Sequence, residues 1–495
     1  MLDLRIVNGK VYDGTGSPWY GADIGIRRGA IVAIGVVKEP ARRTVDAAGQ
    51  AVCPGFVDVH THAESIVRRP SADNLLRQGI TTVISGNCGM SPLPIRPLLE
   101  AVESARPAIN FATLVGHGEI RKRAMGLAAR RPTPAELSKM RRLTEQAMRD
   151  GAVGLSTGLF YVPGAYARTE EVVELSRVAA AWGGTYASHS RSAGGKILQS
   201  IAESAAIGRK ARIPIEVSHL KIFHRRGRTR KDRVQVVLAE IARHRDAGVD
   251  ITFDVYPYTA SQTDLASVVI PSWVAADGLL ATRLKDPAIR RDIRPDIAGR
   301  MAWMGGADTM TITTFPADPS VEGRTLADIA RQRNQDPITA AMDLCALGPP
   351  ACIFHSMREE DMTAILASEH AMIGSDACVA VSPKERVHPR YYGTFPRVLG
   401  EFVRVRGLLS LPQAIRKMTS LSARKFGLRD RGLIAVGMKA DLVVFDPRTI
   451  RDRATFERPH AFPAGVNAVI VSGHLAWDGK HVSRHRAGAV IRGGS

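Results

Sequence analysis

The sequence contains the segment Gly55-Phe56-Val57-Asp58-Val59-His60-Thr61-His62, in which apolar and polar residues alternate after a Pro-Gly start. This alternation predicts a short buried strand. Because side chains two residues apart share one face of a strand, Asp58, His60 and His62 should point the same way. Two imidazoles about 7 Å apart on one face can bind a single divalent ion, and zinc favours such nitrogen ligands. The alternative is a pair of surface histidines in a turn, so the interpretation depends on residues further along the chain.

From Pro54 onwards, apolar strand candidates alternate with helical stretches, which is typical of a parallel sheet with helical crossovers. One helix start is clear, because Thr133 is followed by Pro134. Eight strand candidates favour an α/β fold built on a (β/α)8 TIM-type barrel. They are Phe56–His60, Thr81–Ser85, Asn110–Val115, Ala152–Ser156, Thr185–Ser188, Ile213–Ser218, Asp250–Asp254 and Ala371–Gly374.

The two ends of the chain have a different character, with short strand candidates separated by turn residues. We therefore expect residues 1–53 and 428–495 to form one small β-sandwich beside a barrel of residues 54–427. The gap from the seventh to the eighth strand candidate is far longer than the others and predicts an insertion at about 265–345. Within it we expect a helix at Ala281–Arg291 and a strand at Thr309–Thr314.

Composition excludes several classes of protein. There is no apolar run long enough to span a membrane, and the N-terminus lacks the pattern of a signal peptide. Five widely spaced cysteines favour a reducing compartment and hence the cytoplasm. The net charge of +20 is spread along the chain and is dense only in His224–Arg233, which has no interleaved aromatic residues. We therefore expect neither a nucleic-acid nor a membrane partner, and this basic segment either is a solvated loop or overhangs the pocket.

In a (β/α)8 barrel the functional residues lie at the C-terminal ends of the strands. Polar side chains follow most of the strand candidates here, including His117 after the third. Several of them together form a mixed nitrogen, sulfur and oxygen donor set that is suited to zinc. These residues are His60, His62, Cys88, His189, His219 and Asp376.

The segments at these strand ends, in this order, resemble the amidohydrolase superfamily and, within it, the D-aminoacylase (N-acyl-D-amino-acid deacylase) family. The resemblance covers nearly the whole chain. The matching segments are Gly55–His62, Gly86-Asn87-Cys88-Gly89, Leu114–His117, Gly154–Leu159, Ser218-His219-Leu220-Lys221, Asp254-Val255-Tyr256-Pro257-Tyr258, Gly374-Ser375-Asp376, His388-Pro389-Arg390, Gly393–Arg397 and Ala440–Pro447.

The resemblance implies a barrel with a small β-sandwich from both termini and a late insertion. It also implies a tightly held zinc and a second, weaker site that shares Cys88. The tight ligands would be Cys88, His189 and His219, and the weaker site would use His60, His62 and Asp376. Many amidohydrolases bridge two metals with a carboxylated lysine after the fourth strand, but Gly154–Gly158 offers none. This absence separates the chain from hydantoinases and dihydroorotases.

The activity implied is zinc-dependent hydrolysis of the amide bond of N-acyl-D-amino acids to a D-amino acid and a carboxylate. Asp376 would act as general base and then as general acid. Lys221, Arg390 and either Tyr256 or Tyr258 are the candidates to hold the substrate α-carboxylate. Arg191 joins them, because Ser192-Ala193-Gly194-Gly195 follows it where the family often has acidic residues. The alternatives are another amidohydrolase reaction, on cyclic amides or dipeptides, or a non-catalytic barrel scaffold, which would not need the six ligand candidates.

Overall fold

Short parallel strands and intervening helices form the centre of the molecule, which is therefore an α/β protein. The computed structural model describes residues 1–225 and 232–494, and within them the central strands pair in two sheets. The first sheet contains Phe56–Asp58, Ile80–Ser85 and Asn110–Thr113. The second contains, in spatial order, Val115–Gly116, Gly154–Gly158, Thr185–His189, Ile215–Val217, Ile251–Val255 and Ala371–Ile373.

The two sheets meet at both of their edges. At one edge only Leu114 separates the strand Asn110–Thr113 from Val115–Gly116. At the other edge Thr61–His62 pairs in parallel with Ala377–Cys378, and the amide of Asp376 donates a 2.8 Å hydrogen bond to the carbonyl of His60. The first and last central strands are therefore neighbours, although more than three hundred residues separate them along the chain.

Helices follow most central strands and pack their apolar faces against the sheets. The helix Pro134–Asp150 begins with a capping box, in which the Thr133 hydroxyl accepts from the amide of Glu136. The other helices outside the insertion are Asp73–Leu76, Ile95–Ala105, His117–Met125, Thr169–Ala181, Ile197–Ala211, Arg233–Asp246, Glu359–Ala367, Arg390–Arg397, the π-helix Val398–Val405, Leu411–Met418 and Ser420–Lys425.

Strands from both ends of the chain form one sheet. The strand Leu442–Phe445 pairs antiparallel with Ala51–Pro54, which joins the C-terminal strands to the N-terminal ones. Ile6 and Ile470 are fully buried in the same hydrophobic cluster. The strands of this sheet are Leu2–Val11, Tyr20–Arg27, Ala30–Gly35, Ala41–Asp46, Ala51–Pro54, Leu442–Phe445, Val466–Val471 and His474–Trp477.

Residues 261–354 form a separate unit with its own hydrophobic core. Its antiparallel strands are Ser261–Asp264, Met310–Thr314 and Ala351–Phe354, and its helices are Leu265–Val269, Leu280–Arg283, Pro287–Trp303, Leu326–Gln332 and Pro337–Leu347. The prediction of one helix over Ala281–Arg291 is wrong. Asp286 caps a new helix by accepting from the amides of the second and third residues after it, and Pro287 occupies the first helical position.

Two observations concern the wider chain. None of the helices among the described residues is long and apolar enough to cross a bilayer. All five cysteines are free thiols. The basic segment His224–Arg233 was predicted to be a solvated loop or to overhang the pocket, but its residues 226–231 lie outside the described part of the chain. His224 itself is buried, with Nε2 2.6 Å from Oδ2 of Asp361.

Candidate metal centre

The Cys88 thiol lies at the centre of three histidine rings. Its Sγ atom is 3.4 Å from Nε2 of His60, 3.5 Å from Nδ1 of His189 and 3.5 Å from Nε2 of His219. Zinc bonds of about 2.0–2.3 Å in a tetrahedral arrangement place neighbouring donor atoms roughly 3.5 Å apart. The three distances from Sγ to the histidine nitrogens are therefore those expected between neighbouring ligands of one zinc ion.

Asp376 extends this group. Its Oδ1 atom lies 3.7 Å from Nε2 of His60 and 3.4 Å from Nε2 of His62. The structure thus brings all six predicted ligands into one group, which we call the metal cluster: His60, His62, Cys88, His189, His219 and Asp376. His60 lies next to both Cys88 and Asp376 and so joins the two parts of the cluster.

Three members of the metal cluster have a left-handed backbone conformation. The φ angles are 55° at Cys88, 36° at His219 and 52° at Asp376. Each such residue costs on the order of 1–3 kcal/mol unless the surroundings stabilise it, and such residues concentrate at functional sites. Here the conformation turns each side chain inward at the end of its strand.

Two buried aspartates hold the cluster in place. Oδ1 of Asp58 accepts hydrogen bonds from the amides of Ser375 at 2.9 Å and His60 at 3.3 Å. Asp254 was not predicted as a site residue. Its Oδ2 accepts from the amide of His219 at 2.8 Å and lies 3.2 Å from Nδ1 of His60, which directs Nε2 of His60 toward Cys88. Asp254 lies at the end of a strand, as the ligands do, and this position was the signal in the sequence that could have identified it as a site residue.

The electrostatics of the metal cluster suit metal ligands. Burial raises the pKa of the Cys88 thiol, but His60 and the hydrogen bonds from the other histidines lower it well below its usual range. Burial and the nearby Lys221 ammonium lower the pKa of His219 to about 3, and burial also lowers the pKa of His189. Burial raises the pKa of Asp376, but Arg390 and His62 hold it well below its usual range. Burial lowers the pKa of His60 and His62 as well, but Asp254 and Cys88 beside His60, and Asp376 and Cys88 beside His62, raise both values well above the usual range. The cluster therefore offers a thiolate, a carboxylate and two neutral imidazoles, those of His189 and His219.

The end of the strand Gly154–Gly158 lies directly against the turn that carries Cys88. A Cβ atom at Gly158 would lie 2.1 Å from the carbonyl oxygen of Cys88. The Cys88 turn thus occupies the space that a side chain at the end of this strand would need.

A cavity of about 730 Å³ opens above the metal cluster. Lys221 and Arg390 line it beside the ligands, with Nζ of Lys221 2.9 Å from Nδ1 of His219 and a guanidinium nitrogen of Arg390 2.9 Å from Oδ2 of Asp376. Burial lowers the pKa of Lys221 to about 8. Two of the predicted carboxylate-binding residues are therefore in the cavity.

The other predicted substrate-binding residues lie elsewhere. Tyr256 is buried, and its ring centroid is 4.8 Å from the guanidinium carbon of Arg390. It therefore makes a cation–π contact with Arg390. The Tyr258 hydroxyl is 3.5 Å from the carbonyl of Pro389. Arg191 is not free as expected, because its guanidinium binds the carboxylate of Glu203 at 2.9 and 3.0 Å and two backbone carbonyls.

Part of the cavity lining is apolar, and sequence analysis did not identify it. We call this surface the outer wall. It is formed by Phe160, Gly194, Gly195, Phe223, Trp303 and Met304. Trp303 and Met304 come from the end of a helix in the insertion, more than seventy residues from the nearest ligand in the sequence, so no local pattern connects them with the site.

Comparison with known proteins agrees with this site. Residues 43–476 match the sequence profile of the Amidohydrolase family, and the chain belongs to that family. It is 38% identical to an N-acyl-D-glutamate deacylase and 36% identical to a D-aminoacylase, both from Alcaligenes xylosoxydans xylosoxydans. These alignments cover 99% of this chain and 96% and 97% of the two relatives.

A solved structure is similar over almost its whole length. It is the N-acyl-D-glutamate deacylase from Bordetella bronchiseptica complexed with zinc and a phosphonate inhibitor that mimics the tetrahedral intermediate. The TM-score is 0.85 at 36% sequence identity, and the match covers 99% of each chain. This similarity extends across the α/β fold and the insertion.

Proposed function

We propose that this chain is a zinc-dependent hydrolase that cleaves the amide bond of N-acyl-D-amino acids and releases a D-amino acid and a carboxylate. The observation that carries the proposal is the Cys88 thiol 3.4–3.5 Å from three imidazole nitrogens, on the floor of a cavity that also presents Lys221 and Arg390. The relatives named as D-aminoacylase and N-acyl-D-glutamate deacylase support it, because they align over the whole chain.

We also propose that the central strands close into one eight-stranded (β/α)8 barrel of residues 54–427, with an insertion at about 265–345. The parallel pairing of Thr61–His62 with Ala377–Cys378 supports closure, because it joins the first strand to the last. Residues 1–53 and 428–495 would form the flanking β-sandwich. The five free thiols support a reducing, cytoplasmic location.

Cys88, His189 and His219 would hold the tight zinc, while His60, His62 and Asp376 would hold a second, weaker one. A zinc ion bound in the metal cluster supplies Lewis acidity, which polarises an amide carbonyl and makes water more acidic. The buried aspartates provide the fixed orientation that such a site needs, because Asp254 directs His60 and Asp58 secures the backbone beside Asp376.

Asp376 is the residue that moves the proton. Its carboxylate stays ionised beside Arg390 and His62, so it can accept a proton from the attacking water. It then returns that proton to the leaving nitrogen, which leaves poorly as an anion. General acid–base catalysis of this kind contributes about 10²- to 10⁴-fold to the rate.

Lys221 and Arg390 anchor the α-carboxylate of the substrate. A guanidinium matches the planar carboxylate with two parallel hydrogen bonds, and an ammonium adds a second point charge. Tyr256 fixes the guanidinium from behind through its ring face. The carboxylate anchor, the acyl group over the metal cluster and the cavity wall make three contacts, which suffice to distinguish D from L substrates.

The test combines metal analysis with a substrate panel on the purified protein. We expect bound zinc, turnover of N-acetyl-D-amino acids, little turnover of the L-enantiomers, and much slower hydrolysis of the corresponding methyl esters. Equal kcat/KM for acid and ester, or preference for the L form, would contradict the proposal. Turnover of hydantoins or dipeptides alone would indicate a different amidohydrolase reaction, and no turnover with any amide would favour a scaffold.

A further inference from the structure

Two consecutive glycines of the outer wall pack against a tryptophan from the insertion. A Cβ atom at Gly194 would lie 3.3 Å from Cε3 of Trp303, and one at Gly195 would lie 3.1 Å from Cζ2 of the same ring. Neither glycine has a positive φ angle, so their backbone conformation is open to any residue. These positions have no room for a larger side chain, because the indole ring occupies the adjacent space.

The Trp303 ring is also held from another direction. The guanidinium carbon of Arg233 lies 5.2 Å from the ring centroid. Arg233 donates hydrogen bonds to the carbonyls of Phe223 and Gly194, which belong to the two loops that border the ring. The indole is therefore a fixed part of the cavity surface, whose position depends on three segments that are distant in sequence.

The surroundings of Trp303 combine apolar and charged side chains. Phe160, Phe223 and Met304 complete the outer wall, and the side chain of Met304 is almost completely buried. Charged residues also line this part of the cavity, namely Lys196, Asp264 and Arg300. Asp264 is engaged as a helix cap by the amide and hydroxyl of Ser267, at 2.7 and 2.6 Å. The cavity volume of about 730 Å³ is in the range of sites that enclose drug-sized ligands.

We propose that Trp303 is a specificity-determining residue that selects substrates carrying a large, flat apolar group. This inference rests on the proposed function, since it assigns the substrate class of the same site. The carboxylate anchors Lys221 and Arg390 and the metal cluster hold the reacting amide, so the remaining substituents fill the rest of the cavity. The flat group is carried either by the amino-acid side chain or by the acyl chain. An aromatic group against an indole gains contact energy beyond the burial of its area.

The experiment measures selectivity rather than activity alone. One arm compares kcat/KM for N-acetyl-D-phenylalanine with N-acetyl-D-alanine, and the other compares N-phenylacetyl-D-alanine with N-acetyl-D-alanine. In wild type we expect the aromatic substrate to be preferred in one arm, and that arm identifies the group. Trp303→Ala should reduce this preference by about tenfold, with zinc content unchanged.

Further variants separate recognition from a loss of structure. Trp303→Phe should keep most of the preference, because a phenyl ring still offers a flat face. Gly195→Ala should reduce the preference by a few fold, because its new Cβ displaces the indole by a few tenths of an ångström. The matched controls are Gly299→Ala, in the same helix with open space around its Cβ position among the described residues, and Trp182→Ala, in a different groove. Both controls should retain the wild-type preference.

Three outcomes overturn the inference. If Trp303→Ala keeps the selectivity of the wild type, the indole ring does not contribute to substrate selection. A preference for N-acetyl-D-glutamate that Arg300→Met removes would show that the outer wall selects an anion. Loss of selectivity in the two controls to the same extent would assign the effect to folding.

Binding measurements keep this test separate from the proposed function. If wild type hydrolyses none of these amides, the proposed function fails. Calorimetric binding of N-acetyl-D-phenylalanine, N-phenylacetyl-D-alanine, N-acetyl-D-alanine and N-acetyl-D-glutamate still tests the role of Trp303. Tighter binding of an aromatic ligand in wild type that weakens about tenfold in Trp303→Ala would support the role of the ring. Equal binding by the two proteins would overturn it.

Discussion

The metal cluster and the outer wall line the same cavity, but they are built in different ways. Each ligand lies at the end of a parallel strand or in the turn that follows it, and the cluster has buried carboxylates behind it. The outer wall combines three loops with a helix from the insertion, which has its own hydrophobic core. Reacting atoms need positions fixed within a fraction of an ångström, whereas a specificity surface needs only shape. The fold places the chemistry on its most constrained elements and the selectivity on an addition that can vary.

The largest effect is expected from removing the central ligand. Cys88→Ala should abolish tight zinc binding and nearly all activity, because Sγ is the donor that lies next to three imidazoles. Zinc content by atomic absorption and kcat/KM on an N-acetyl-D-amino acid measure this. Cys345→Ala, which removes a buried thiol in the insertion core, is the matched control and should keep the metal. A Cys88→Ala protein with one zinc and full turnover would refute the assignment of the metal cluster.

A smaller effect is expected from the proton-transfer residue. Asp376→Asn should retain the tight zinc, because Cys88, His189 and His219 remain. Its kcat should fall by about 10²-fold or more, since the amide cannot carry the proton. Measuring kcat and zinc content on the same sample separates the two roles. An unchanged kcat would show that another group transfers the proton.

The carboxylate anchor should have a still smaller effect. Lys221→Ala should lower kcat/KM for the free acid by roughly 10- to 150-fold, the equivalent of one charge-assisted contact, while the methyl ester changes little. Arg191→Ala is the matched control, because that cation is bound by Glu203 outside the cavity. If Arg191→Ala lowers kcat/KM for the free acid as much as Lys221→Ala does, the preference for the acid depends on net positive charge and not on a defined anchor.

The smallest effect concerns the packing beneath the cluster. Gly158→Ala introduces a Cβ only 2.1 Å from the Cys88 carbonyl, so the Cys88 turn must move. Overpacking of this kind costs about 1–3 kcal/mol, and we expect zinc affinity to fall by roughly tenfold with kcat preserved at saturating zinc. A zinc titration monitored by activity measures it. Affinity equal to wild type would mean that the turn has room to adjust.

The sequence predicted which side chains meet in the metal cluster because each of them follows a strand candidate, and the family resemblance pointed to the same residues. The spacing of His60 and His62 and the segment around Cys88 are readable within a few residues. The helix Pro134–Asp150 was also predictable, since Thr133 and Pro134 are local signals of a helix start. The same kind of signal, Asp286 followed by Pro287, was overlooked inside the predicted helix Ala281–Arg291.

Tertiary structure decided everything that depends on which distant residues meet. Arg191 and Glu203 are only twelve residues apart in the sequence, yet only the fold shows that they form an ion pair. This ion pair keeps Arg191 out of the cavity. Asp254 supports His60 from another strand, and Trp303 reaches Gly194 and Gly195 from the insertion. Strand ends and helix starts are encoded by short-range patterns, whereas contacts between distant segments depend on how the complete chain packs.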